Sequence, residues 1–229
     1  GGIDIMEGFD IIERGKAKNK RPEIRSELAD NPRAVFIIET NVESDRDQRG
    51  FFHNARGQLF EAGKALVPKI FTAGSTNGGS TAVCPNFCTV EDVVASPVSG
   101  VMTSPDFVAG FIEGLRALGN TNSLVCTRGG SAPIHRKTGI YDAFDPYNID
   151  FIEAKYRMFT DYDQKKELNW HRVENPVVWK NIPTARPMGD PDCFLVSMPT
   201  LKSHNLGITT LSVKNHQGMI PVGHGYFCT

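Results

Sequence analysis

Two polar stretches late in the chain hold the residues best suited to chemistry, Lys202-Ser203-His204-Asn205 and Lys214-Asn215-His216-Gln217-Gly218. In each, a lysine stands two positions before a histidine. A lysine ammonium binds phosphate or carboxylate as a point charge. An imidazole moves protons near neutral pH, where it titrates. A third group, His135-Arg136-Lys137, sets another histidine beside two cations. The amides of Asn86 and Asn215 can orient a bound molecule through hydrogen bonds. His204, Lys214 and His135 are the candidate catalytic residues, the histidines as proton carriers. A substrate-holding role is suggested for Lys202, Asn86, Asn215, His216 and Arg136. Taken singly, each of these is an ordinary loop residue; two Lys/His loops beside one strand favour a site.

A metal is the second chemistry that these residues raise. His204, His216, His224 and Cys228 follow one another at intervals of 11, 7 and 3 residues, and His216, His224 and Cys228 are the candidate ligands. Imidazole and thiolate are good transition-metal donors, but this spacing is irregular for a tetrahedral site. Cys84 and Cys88 form C-x3-C, which matches neither a zinc site nor the usual iron–sulfur run. Five cysteines are too few and too scattered for a disulfide scaffold. Cys126 and Cys193 lie in apolar runs and read as small buried hydrophobes.

Positioning such residues requires strands that end where the polar loops begin. Cys193-Phe194-Leu195-Val196 reads as a buried strand that breaks at Pro199 into the first polar loop. Ala34 to Ile38, Thr81 to Cys84, Ser123 to Cys126 and Ile149 to Glu153 read as further strands. Asn86 falls at the C-terminal edge of its strand, the edge where open α/β sheets bind ligands. Helical spacing of Leu59, Ala62, Leu66 and Ile70 predicts a helix over 54–70. A second helix is signalled by Ser104 as N-cap, Pro105 at the first position and Asp106 complementing the dipole. Val108, Phe111, Ile112 and Leu115 give it an apolar face, and Gly119 stops it.

This alternation predicts an α/β fold: a mainly parallel sheet with flanking helices. Residues 1–33 read as a polar N-terminal arm and 34–229 as one α/β domain, expected to be incomplete at its C-terminus. The start at Gly1-Gly2-Ile3, without Met, leaves a removed leader open, and with it a cytoplasmic or an exported location. An irregular, Pro-rich antiparallel excursion is expected at about 155–191, with a turn at Glu174-Asn175-Pro176 and tryptophans used for packing.

Several of these blocks together resemble a known family. Met198-Pro199-Thr200-Leu201-Lys202-Ser203-His204, the run Thr209 to Val213, and Lys214-Asn215-His216-Gln217-Gly218-Met219-Ile220-Pro221 look like the signature of the prokaryotic family called domain of unknown function 362. Val83-Cys84-Pro85-Asn86 resembles the first Pro-Asn strand end of that family, with Cys84 where a lysine usually stands. Thr103-Ser104-Pro105 and the helix behind it also fit. A second likeness, to lactate racemases, rests on Ile134-His135-Arg136 and on His204 lying ten residues before Lys214. It implies related architecture, with Lys214 at the position that carries a nickel-pincer nucleotide there. Ser212-Val213 and Val222 depart from that pattern.

Composition narrows the partners. Across 229 residues the formal net charge is −1, which argues against nucleic acid, because displacing counterions needs a basic excess. No run approaches the roughly 18 apolar residues of a membrane span. Three functions remain open. The first is an enzyme of unknown reaction on an anionic small molecule. The others are a metal- or redox-cofactor-binding module, for which a transition metal or a nucleotide-type cofactor is the candidate group, and a non-catalytic small-molecule binding protein. Oligomeric state is left open by the sequence.

Overall fold

Side-chain alternation along short apolar runs builds the centre of the molecule. The computed structural model describes residues 11–12, 24–31, 45–46, 52–53, 56–72, 79–87, 102–127, 140–153, 162–177, 179–204, 208–210 and 215–221. In chain order these form β1 (Ile11–Ile12), α1 (Ser26–Ala29), β2 (Asp45–Arg46), β3 (Phe52–His53), α2 (Arg56–Ile70), β4 (Ser80–Pro85), α3 (Pro105–Ala117) and β5 (Ser123–Thr127). After these come β6 (Asp150–Glu153), β7 (Leu168–Arg172), β8 (Asn181–Ala185), β9 (Cys193–Met198), β10 (Lys202–His204) and β11 (Ile208–Thr210). The strand expected over 34–38 lies outside the described residues.

The main sheet has the order β6-β5-β4-β9, with every neighbouring pair parallel. Period two sends Val83, Val125, Phe151, Phe194 and Val196 to one face, where α2 and α3 cover them with Val67, Val108, Phe111, Ile112 and Leu115. Ala82, Cys84, Cys126 and Leu195 face the other way, against Leu168, Trp170, Ala185 and Met188 of the β7–β8 region. That region is the expected antiparallel excursion: β7 and β8 pair antiparallel, and β1 adds in parallel to β7. Trp170 is 1% exposed, a packing residue as expected. The fold is therefore α/β, a mainly parallel sheet with helices, plus small antiparallel pairs.

Helix α3 forms as its local sequence dictates. The Ser104 hydroxyl accepts from the Phe107 amide at 3.3 Å, and Pro105 begins the first turn. At the far end Gly119 takes φ of 94°. The Gly119 and Asn120 amides then close on the Arg116 and Leu115 carbonyls, both at 2.9 Å, which is a Schellman cap. Helices α2 and α3 approach closely through glycines. A Cβ on Gly63 would meet the Phe107 carbonyl, and one on Gly110 would meet the Phe60 carbonyl. Among the described residues no helix is long and apolar enough to cross a membrane.

Topology marks the place where an open parallel sheet binds ligands. From β4 the chain runs through α3 to β5 and then to β6 on the far side, and later returns to lay β9 on the opposite side of β4. The connections thus diverge between β4 and β9. In an open parallel sheet that reversal leaves a crevice beyond the carboxyl ends of the two strands.

Candidate functional site

At that crevice the ends of β4 and β9 are laced together by side chains from four segments. Cys84 lies opposite Ser197 and Pro85 opposite Met198 in the strand register. Asn215 is buried and spends both of its amide protons there, donating to the Cys84 carbonyl at 2.6 Å and to the Ser197 hydroxyl at 3.2 Å. One step further along, Asn86 and Thr103 pair through their backbones, the Thr103 amide donating to the Asn86 carbonyl at 3.0 Å. The Asn86 amide in turn donates to the Thr103 hydroxyl at 3.0 Å, and that hydroxyl donates to the Met198 carbonyl at 2.6 Å. Lys202 then reaches back to the end of β4, donating from Nζ to Asn86 Oδ1 at 3.2 Å.

Asn86, Lys202 and Asn215 thus gather at the ends of β4 and β9. The loop expected around Lys202 has a different form: Lys202–His204 is strand β10, paired antiparallel with Ile208–Thr210. Backbone pairing satisfies amides that a loop would leave to water, so the lysine emerges from a hydrogen-bonded ladder. His204 stands opposite Ile208 in that register. His216 opens the short 3-10 turn His216–Met219 and is exposed. Lys214, His135, Arg136, His224 and Cys228 lie outside the described residues. Among the described residues no group of three or more His, Cys, Asp or Glu is placed to hold a metal.

Thr103, Ser197 and Thr200 are the members that sequence reading missed. Hydroxyl residues next to turns are too common to single out. The available signal was position: Thr103 directly precedes the Ser104-Pro105 cap, and Thr200 directly follows Pro199.

The crevice floor and the helix end have distinct electrostatics. Helix α3 begins beside the crevice, and a helix N-terminus is a ready anion site. Here its first turn already contains Asp106, buried, with both carboxylate oxygens 3.1 Å from Nε of Arg56. The helix end is therefore supplied with the protein's own anion, while Lys202 meets Asn86 at the strand ends. The described thiols lie in the strands of the main sheet. Burial, with the nearby Cys193 thiol adding to it, pushes Cys84 up to about 12. Burial also raises Cys126 well above the ordinary thiol value. Cys193 is raised chiefly by burial, against hydrogen bonds from Ser80 and the Ala82 backbone that lower it. Such thiols stay protonated at neutral pH and are poor nucleophiles or metal ligands.

A family model described as "Domain of unknown function (DUF362)" matches residues 81–227. No curated protein and no solved structure matches the chain. The matched region runs from the start of β4 past Pro221 and so contains every residue of the cluster described above.

Proposed function

Since the chain belongs to the domain of unknown function 362 family, which assigns no reaction, we propose a function from the crevice itself: binding of a phosphate- or carboxylate-bearing small molecule, with Lys202 as its counter-charge. The observation that carries this reading is the Lys202–Asn86 contact at 3.2 Å, made across the mouth of the topological switch between β4 and β9. An ammonium at that position attracts an anion, and Asn86 restrains the lysine's long side chain, lowering the entropy lost on binding. Asp106 supports the same reading from the other side. The helix end has its own carboxylate, which disfavours a dinucleotide pyrophosphate seated there and leaves a smaller anion on Lys202.

The reaction we propose is acid–base chemistry on that bound anion. His204, Lys214 and His135 are the proton-transfer groups of this reading, with Arg136 and His216 as further anion contacts. For His204, Lys214 and His216 it rests on residue type and on their places in the chain next to Lys202 and Asn215, and for His135 and Arg136 on residue type and on their place in the stretch after β5.

Titration calorimetry of the protein with inorganic phosphate, acetate and succinate tests the binding step. Saturable binding of at least one of these is expected, and Lys202→Met should weaken it by about tenfold or more. Equal affinity in Lys202→Met and wild type would sink the reading.

A further inference from the structure

The strongest feature of the crevice is a hydroxyl that cannot itself bind a ligand. Thr103 is 8% exposed and stands between the two strand ends without belonging to either. Its Oγ1 lies 2.6 Å from the Met198 carbonyl oxygen, 3.0 Å from the Asn86 amide nitrogen and 3.3 Å from the Thr200 hydroxyl oxygen. A carbonyl only accepts, and two oxygens 2.6 Å apart repel unless a proton lies between them, so the one Thr103 proton goes to Met198. An amide only donates, so Asn86 N–H takes one lone pair. The Thr103 proton being spent, Thr200 must donate into the other. One donor and two acceptor sites are all that a threonine hydroxyl has, and all three are used.

Resting on the reading of the β4–β9 crevice as the ligand site, we infer that Thr103 is the positioning residue of that site. Its hydroxyl joins the segment after β4 to the segment after β9 and so sets the distance over which Lys202 meets Asn86. Neighbouring parallel strands are free to diverge beyond their last ladder bond. Here the Asn86 amide and the Met198 carbonyl are both tied to one oxygen, so the two chain ends move together. Saturation also separates positioning from binding, since Thr103 has no proton or lone pair left for a substrate.

The test compares wild type with Thr103→Val, which keeps the shape and removes the hydroxyl, and with Thr103→Ser, which restores it. Two quantities are read: hydrogen exchange of the Asn86 backbone amide, which needs no ligand, and the affinity for inorganic phosphate. Thr103→Val is expected to speed Asn86 exchange and to weaken phosphate binding, each by about tenfold or more, with Thr103→Ser close to wild type in both. Gly110→Ala, which loosens the α2–α3 contact away from the crevice, should lower thermal stability and leave phosphate affinity unchanged. Wild-type exchange at Asn86 in Thr103→Val, or no rescue by Thr103→Ser, overturns the inference. Should Thr103→Val fail to fold, the wild-type protein still decides. A slowly exchanging Thr103 hydroxyl proton should be visible by NMR, and its absence overturns the assignment. If Lys202→Met binds phosphate like wild type, the crevice reading falls, and Asn86 exchange alone then judges Thr103.

Discussion

Asn215 illustrates how one side chain can hold a site without standing in its opening. Both of its amide protons are used on the protein, one on each side of the β4–β9 seam. Replacing it with Leu removes its bonds to the Cys84 carbonyl and the Ser197 hydroxyl, which should cost roughly 2–4 kcal/mol in a urea titration. Asn215→Asp should be worse at neutral pH than at low pH, because an ionised carboxylate would face the Cys84 carbonyl with no proton to share. The thiols give a second pH signature. Cys84 is neutral in the folded protein up to about 12, whereas an unfolded cysteine ionises near its ordinary value of about 8.5. Below that value both states hold the proton and the contribution to stability is intact. As pH rises from about 9 towards 12 the unfolded state sheds the proton first, so stability falls. Denaturation midpoints measured from pH 7 to 11 should decline accordingly, and Cys84 and Cys126 should resist a thiol reagent until the protein unfolds. At this scale the polar residues Asn86, Lys202 and Asn215 were legible as candidates. Thr103 was not, because its role exists only in the count of bonds converging on one oxygen.

Among the elements, α3 was the most legible. Its cap, its proline, its apolar face and its terminating glycine are all local signals, and each acts in the structure as its chemistry requires. Ser104→Ala should cost about 1 kcal/mol through the lost cap bond to the Phe107 amide. Gly110 was not legible as a packing residue, since helical propensity alone makes glycine there a liability of about 1 kcal/mol. Its reason is tertiary: the Phe60 carbonyl occupies the place where a side chain would begin. Gly110→Ala should therefore destabilise by about 1–3 kcal/mol in chemical denaturation despite its better helix propensity. The segment around Lys202 is the element that departed from expectation. Three residues are enough for a ladder only because Ile208–Thr210 returns alongside them, and nothing within the Lys202 stretch reports that return.

The whole molecule turns on β4. It lies between β5 and β9, has helices over one face and the β7–β8 pair over the other, and holds Ala82 and Val83 fully buried. Its amides should be the slowest to exchange in the native protein, with those of β6, an edge among the described strands, faster; mass-spectrometric exchange resolves the two. The same central position makes β4 the strand at which the connections diverge, so the most stable strand also forms one wall of the crevice. A site built on the end of such a strand is held more firmly than one built on a loop alone.

By itself the sequence determined the elements and their faces: alternating apolar residues for the strands, a 3.6-residue period and caps for the helices, and polar residues clustered where strands stop. These are local consequences of backbone geometry and burial, and they need no partner to be read. Only the tertiary structure decided that β9 lies against β4 and not beyond β6. That choice creates the crevice and brings Lys202 to Asn86 across 116 positions of chain. The physical reason is that strand order depends on which surfaces pack best over long separations. No local pattern encodes a pairing between residues so far apart, and the bonds through Thr103 and Asn215 form only once that pairing exists.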